Sequence, residues 1–431
     1  MAIGRGTVGS RRRRVRVVAA LMAVAVVAAC GPPPTAGPGA PDVEIGVSEG
    51  PERPPSEDLP DCPVDALDDA DGPVEVEFWH TEADVPARVL ASLVEDYNAS
   101  QDRVRVTLQH QGTFDELFGK YVGAIPTDEL PDMVEIEDTK ILQLIDTGTV
   151  LPAEACAVAD GTDLADLHPG LFSYFDVGRM YWPVWVAATA PIMIYKRGDM
   201  EAAGLDPDDP PATLAEVREA AEALRDAGVT DQPVSIDLSR WWPETWLSGA
   251  GVPIVDERNG RTGRATESLY DNPTTVEIYE WIDDMVADGL MLAVEAGSID
   301  HITALVQDVS LTFTSSGALT IIDSFLAADP ELAERLDGTV GPFPGVEEAG
   351  RTRVNAGGFF IVNRSEPEVQ AAVWDFSRWL NEPAQEVRWQ IEGSYLPVHG
   401  SVADGPELQD FYRDDRVGQQ LAVAARTLAD V

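Results

Sequence analysis

The sequence predicts an α/β fold with chain enough for two lobes. Strand-like and helix-like patterns alternate from Val74 onward, the grammar of a mostly parallel sheet with helices on its faces. Helix-capping signatures recur at Thr213 and Ser365, so the same grammar runs into the last quarter of the chain. About 360 residues follow the proline-rich stretch that ends near Gly72, ample for a large core.

The first 29 residues are read as an export signal. Arg5, Arg11, Arg12, Arg13, Arg14 and Arg16 precede an apolar run from Val17 to Ala29, then Cys30. A bilayer span needs about 20 apolar residues, and this run is shorter. Val27-Ala28-Ala29 before Cys30 resembles the lipobox of bacterial lipoproteins, which implies lipid on Cys30 as the new N-terminus. Residues 31–61 hold nine prolines and few large apolar groups, so they are expected to be a semi-extended tether.

In the folded part, VEVEFWH (74–80) alternates as a strand, and Val85, Val89, Leu93 and Tyr97 then fall on one helical face. VRVTLQ (104–109) predicts a second strand, Phe114–Ala124 a helix, DMVEI (132–136) a third strand and Lys140–Asp146 a short helix. Thr213 with Glu216 forms a capping box that opens a helix reaching about Ala227. Ser365 with Glu368 repeats the signature before a helix bearing Trp374, Phe376 and Trp379, and Gly341–Gly345 marks an irregular turn.

Thirty basic residues face 75 acidic ones, a formal charge of −45. Such a field repels nucleic acid, which is disfavoured as a partner. With Cys30 lipidated, Cys62 and Cys156 remain, and in an oxidising compartment two cysteines can pair. The histidines at 80, 110, 168, 301 and 399 lack metal-ligand spacing, so no metal is expected. No P-loop, dinucleotide fingerprint or nucleophile elbow appears, and neither a cofactor nor catalysis is expected. Among ten tryptophans, Trp79 and the pair Trp241-Trp242 stand beside polar or proline residues, as ligand-facing rings often do. Trp374, Trp379 and Trp389 are assigned to the core.

FWHTEAD (78–84) resembles the opening strand and loop of the family 1 extracellular solute-binding proteins of ABC importers. PDMVEIED (131–138), PIMIYKRGDMEAAGLDPDDPPATLAEV (191–217), SLTFTSSGAL (310–319), NAGGFFIVN (355–363) and GSYLPVHGS (393–401) follow in the order expected of that family. Among its members the chain looks closest to the glycerol-3-phosphate and glycerophosphodiester binders. The resemblance implies a type II, two-lobed periplasmic-binding-protein-like fold. It puts lobe 1 at 72–190 plus 312–356 and lobe 2 at 191–311 plus 357–431. It implies ligand contacts from Trp79, His80, Glu137 or Asp138, Trp241 or Trp242, Ser315, Ser316, Gly357, Gly358 and Tyr395. It further implies a monomer, lipid-anchored at the outer face of the cytoplasmic membrane, that closes on a sugar or glycerol-derived solute and passes it to a permease.

Two departures bear on the ligand. Ala187-Ala188-Thr189 stands where the glycerol-phosphate binders usually carry serine, and Arg413, Arg416 and Arg426 match no phosphate-gripping motif. Both favour a neutral sugar unless the cleft holds a cationic group. The rival readings are a lipoprotein feeding a sensor and a secreted carbohydrate-active enzyme, which would need two carboxylates about 5–9 Å apart.

Overall fold

The structure, a computed structural model, describes residues 58–296, 298–328 and 338–427. The expected signal peptide, the lipidation site Cys30 and nearly all of the tether lie outside these residues. No helix among the described residues is long and apolar enough to cross a membrane.

Thirteen strands are described. β1 (Val74–His80), β2 (Val104–His110), β3 (Met133–Glu137) and β4 (Val150–Leu151) come first, followed by the ribbon β5 (Asp176–Val177) and β6 (Met180–Tyr181). β7 (Trp185–Thr189), β8 (Pro191–Lys196), β9 (Val234–Asp237) and β10 (Met291–Val294) occupy the middle of the chain. β11 (Leu311–Ser315), β12 (Gly338–Gly341) and β13 (Asn355–Val362) complete the set. One sheet has the order β2-β1-β3-β13-β4, with β7 also on β13; the other runs β10-β9-β11-β8-β12. The α/β class and the two-sheet architecture are as the sequence predicts.

Each sheet is mixed rather than mostly parallel. β1 is parallel to β2 and β3, but β13 is antiparallel to β3, β4 and β7. In the second sheet β9 is parallel to β10 and β11, while β8 is antiparallel to β11 and β12. The reason is the crossing itself. A strand that enters a sheet directly from its neighbour starts at the shared edge, where β1 and β3 end, and so runs the opposite way.

The expected lobe boundaries require correction. β11 and β12 belong to the second sheet, so 312–341 does not join the first. β13 belongs to the first sheet, where the helix Pro367–Leu380 packs on β1 and β13, so the segment after 357 does not join the second. The alternation inside each segment was legible, but its partner sheet depends on long-range register, which no local pattern encodes.

Local chemistry follows the sequence at most elements. Val89, Leu93 and Tyr97 are buried on the inner face of Asp84–Ser100. Thr213 and Glu216 make the reciprocal capping box that opens Leu214–Asp226. Ser365 does not cap its helix. Its hydroxyl donates to Asp132 Oδ1 at 2.6 Å, and the helix starts one residue later than the signature implies, at Pro367 behind Glu366. Cys62 and Cys156 form a disulfide, with Cα atoms 5.0 Å apart, closing a loop of 94 residues onto the helix Ala153–Asp160.

Between the sheets the chain is stitched by polar contacts. The Ala190 N–H donates to Ser316 Oγ at 3.1 Å, and the Ser316 N–H returns a bond to the Ala190 carbonyl at 2.8 Å. The Thr189 hydroxyl donates to the Asn355 carbonyl at 3.0 Å. Two passages between the sheets, at Ala190 and before Asn355, are thereby held beside Ser316 at the end of β11, an arrangement suited to a hinge.

Candidate functional site

Ligands of open α/β sheets gather outside the carboxyl ends of the parallel strands. β3 delivers Asp138 to that end. Its carboxylate is 2% exposed and accepts from the Ala356 N–H and from Arg353 Nη1, both at 3.2 Å. Burial pushes the Asp138 carboxyl up to about 6; Arg353 opposes the rise and Glu137 adds to it. Arg353, itself 5% exposed, also donates to the Tyr174 hydroxyl at 2.8 Å. Its Nε and Nη2 are buried and make no hydrogen bond among the described residues. Across the gap, Glu244 Oε2 stands 3.8 Å from Nη2.

These groups open on a cavity of about 470 Å3 walled by both halves of the structure. Five cationic side chains line it: Lys140, Arg240, Arg258, Arg261 and Arg353. Only two acids, Asp138 and Glu244, join them, so the cavity reverses the sign of a strongly acidic chain. Tyr174 organises two of the cations. Arg261 lies 4.7 Å and Arg353 5.9 Å from its ring centroid, and Arg261 Nε donates to the Tyr174 carbonyl at 3.1 Å. Arg261 spends another donor on the Asn259 carbonyl, and neither Arg258 nor Arg261 forms an ion pair among the described residues. Arg258 sits in a run of three left-handed residues, Glu257, Arg258 and Asn259, with φ of 54°, 52° and 54°. Such backbone is costly for side chains with a Cβ, and the Asn259 side chain holds the run by accepting from the N–H groups of Ile254 and Val255.

The residues predicted from sequence divide into three groups. Asp138 lines the cavity, and Glu137 stands at its edge, 4.0 Å from Arg240. A second group is packed into the first sheet. Tyr395 stacks on Trp389 with centroids 4.6 Å apart and donates to Glu82 at 2.7 Å, while Glu135 accepts from the N–H and hydroxyl of Thr81. Burial raises both carboxyls, Glu135 to about 7 and Glu82 well above the usual range, and the neighbouring Glu135 adds to the rise at Glu82. His80 closes this group with its ring pushed down to about 4, first by burial and then by His110. Gly357 fits here for a packing reason: a Cβ on it would lie 2.4 Å from Glu135 Oε1, and one on Gly358 would meet Phe360 at 2.8 Å.

The remaining predicted residues serve the framework. Trp242 is buried among Phe313 and Phe343, its indole N–H bonded to Asp237. Trp241 is half-buried against Trp242, and Trp79 donates to Glu77 on its own strand. None of the three walls the cavity. Ser316 is spent on Ala190 at the hinge, and Ser315 caps the turn after β11 by accepting from the Gly317 N–H.

Arg353, Tyr174, Glu244 and Arg261 were missed by sequence reasoning. Arg353 lies two residues before the glycine-bearing strand β13, but Arg351 beside it offers the same signal, so sequence did not single it out. Arg413 and Arg416 pair with surface acids, Asp410 and Asp323, away from the cavity.

The sequence profile of the bacterial extracellular solute-binding proteins matches residues 92–412. The sn-glycerol-3-phosphate-binding periplasmic protein UgpB of Brucella abortus (strain 2308) is 21% identical over 347 residues, 78% of each chain. Among solved structures, the cyclic alpha-maltosyl-1,6-maltose binding protein from Arthrobacter globiformis superposes with a TM-score of 0.66 at 23% identity, covering 83% of this chain and 88% of that one. UgpB from Mycobacterium tuberculosis in complex with glycerophosphocholine gives 0.66 at 18% identity, over 81% and 85%. The two structural likenesses bear on fold alone and agree with the two-sheet architecture. Because the profile spans the chain from the helix before β2 to the helix Pro406–Asp414, crossing both sheets and the hinge, this protein belongs to the bacterial extracellular solute-binding protein family.

Proposed function

We propose that the protein captures a sugar- or glycerol-derived solute bearing an anionic group, closes its two halves on it, and delivers it unchanged to the permease of an ABC importer. Lipid on Cys30 would hold it at the outer face of the cytoplasmic membrane. The observation that carries the anionic ligand is the cavity itself, where buried Arg353 and the carboxylate-free Arg258 and Arg261 face a space suited to a small solute. Phosphate is the group such guanidiniums match best. The cationic wall supplies what the C-terminal arginines do not, and it shifts the preference from neutral sugar to phosphorylated polyol. Relatives named for sn-glycerol-3-phosphate and a structural neighbour holding glycerophosphocholine support the same class. The cavity has one aromatic wall, Tyr174, already flanked by Arg261 and Arg353, which leaves little flat surface for a sugar ring.

Calorimetry on the mature chain tests this with sn-glycerol-3-phosphate, glycerophosphocholine, glycerol and maltose. Binding of one or both phosphate esters, with recovery of the intact ester afterwards, is expected. Tight maltose binding without phosphate binding would overturn the anionic assignment, and a cleaved ester would overturn the transport role.

A further inference from the structure

We propose that Glu244 is an affinity-limiting residue that occupies the ligand anion's place beside Arg353 and must be outcompeted for binding. The inference rests on the anionic-ligand reading. Arg353 is fixed to the first-sheet half by Asp138 and the Tyr174 hydroxyl through one nitrogen, Nη1. Its other nitrogens are buried and make no hydrogen bond among the described residues. A desolvated guanidinium with unused donors is unfavourable, so this site is built for a stronger acceptor than the one present. The group facing it is Glu244, carried by the helix Trp241–Gly249 of the second half. At 3.8 Å from Nη2 its carboxylate attracts the cation without hydrogen-bonding it.

Glu244 therefore stabilises the unliganded cation and repels an incoming anion. A phosphate oxygen that bonds Nε and Nη2 gains two charge-assisted hydrogen bonds and displaces one imperfect ion pair. A neutral hydroxyl gains less and leaves the Glu244–Arg353 attraction to be broken. Glu244 thus sets a threshold that any ligand must overcome, and it lowers the affinity for the anion most.

The test uses the mature full-length chain and its variants Glu244→Gln and Glu244→Ala, with sn-glycerol-3-phosphate, glycerophosphocholine and glycerol as probes in calorimetry. Both variants are expected to bind the phosphate esters roughly tenfold more tightly, the equivalent of about 1.4 kcal/mol. Glycerol, which the Glu244 carboxylate does not repel, should gain less. In an Arg353→Gln background the same changes should give no gain, a coupling that general loosening of the helix would not produce. Unchanged or weaker phosphate binding by both variants, with the wild type still binding, would refute the role of Glu244 alone. Absence of phosphate binding in the wild type would refute the anionic reading beneath it. The isosteric glutamine keeps the experiment informative if the alanine variant melts early.

Discussion

Arg353→Gln probes the cleft and its stability together. Asp138 ionises near pH 6 in the wild type, with Arg353 opposing the upward push of burial. At pH 7.5 its charged form is therefore favoured over the neutral one by about 2 kcal/mol, at 1.36 kcal/mol per pH unit. Without the guanidinium, burial and Glu137 both raise the carboxyl further, it stays neutral at pH 7.5, and that stabilisation is lost. At pH 5 the carboxyl is protonated in both proteins and this loss disappears. The unfolded chain has the ordinary value of 3.8 in each, so it cancels from the comparison. Urea unfolding followed by tryptophan fluorescence should then show a larger penalty for Arg353→Gln at pH 7.5 than at pH 5, by up to about 2 kcal/mol. A pH-independent loss of about 1 kcal/mol from the hydrogen bond to Tyr174 adds to both. Equal penalties at the two pH values would refute the assignment of Arg353 as the counter-charge of Asp138.

The remaining predictions concern acid stability, the disulfide and two framework residues. Because the folded values of Asp138 and Glu135 lie above the ordinary carboxylate range, the native state holds their protons more tightly; their contribution to stability is greatest in acid and declines as pH rises from about 4 to about 7, which denaturant titrations across that range will register. Reduction of Cys62–Cys156 opens a 94-residue loop and should lower stability by roughly 4–5 kcal/mol, read as a drop in urea midpoint with a thiol reductant. Gly357→Ala would set a Cβ 2.4 Å from Glu135 Oε1, so about 1–3 kcal/mol of destabilisation is expected in the same assay. Trp242→Ala should cost about 3–5 kcal/mol as a core truncation, and a loss of ligand binding at full stability would instead mark it as a ligand contact.

Local order was legible in the sequence and long-range order was not. The alternation in VEVEFWH and the Thr213–Glu216 capping box are contained in a few adjacent residues, and the strands and helix they predict are present. Which sheet takes β11 or β13 depends on partners a hundred or more residues away, such as Met193 opposite Phe313 or Glu135 opposite Phe359. The tryptophans misled for a related reason. Trp242 has polar and proline neighbours in sequence, but one turn of helix directs its ring toward Phe313 and Phe343. Asp138 was named from the resemblance of PDMVEIED to a family strand, and the fold sets it at the end of β3 beside the cavity. Arg353 was not, because its exposed neighbour Arg351 looks the same in sequence, and only the fold sets one against Asp138 and the other against solvent.

X-ray scattering on the mature chain, with and without sn-glycerol-3-phosphate at a concentration calorimetry shows to be saturating, is the most direct test of closure around an anion. The radius of gyration should fall with the phosphate ester in the wild type and stay unchanged in Arg353→Gln at the same concentration. Identical dimensions for the free and saturated wild type, or equal compaction of both proteins, would contradict it.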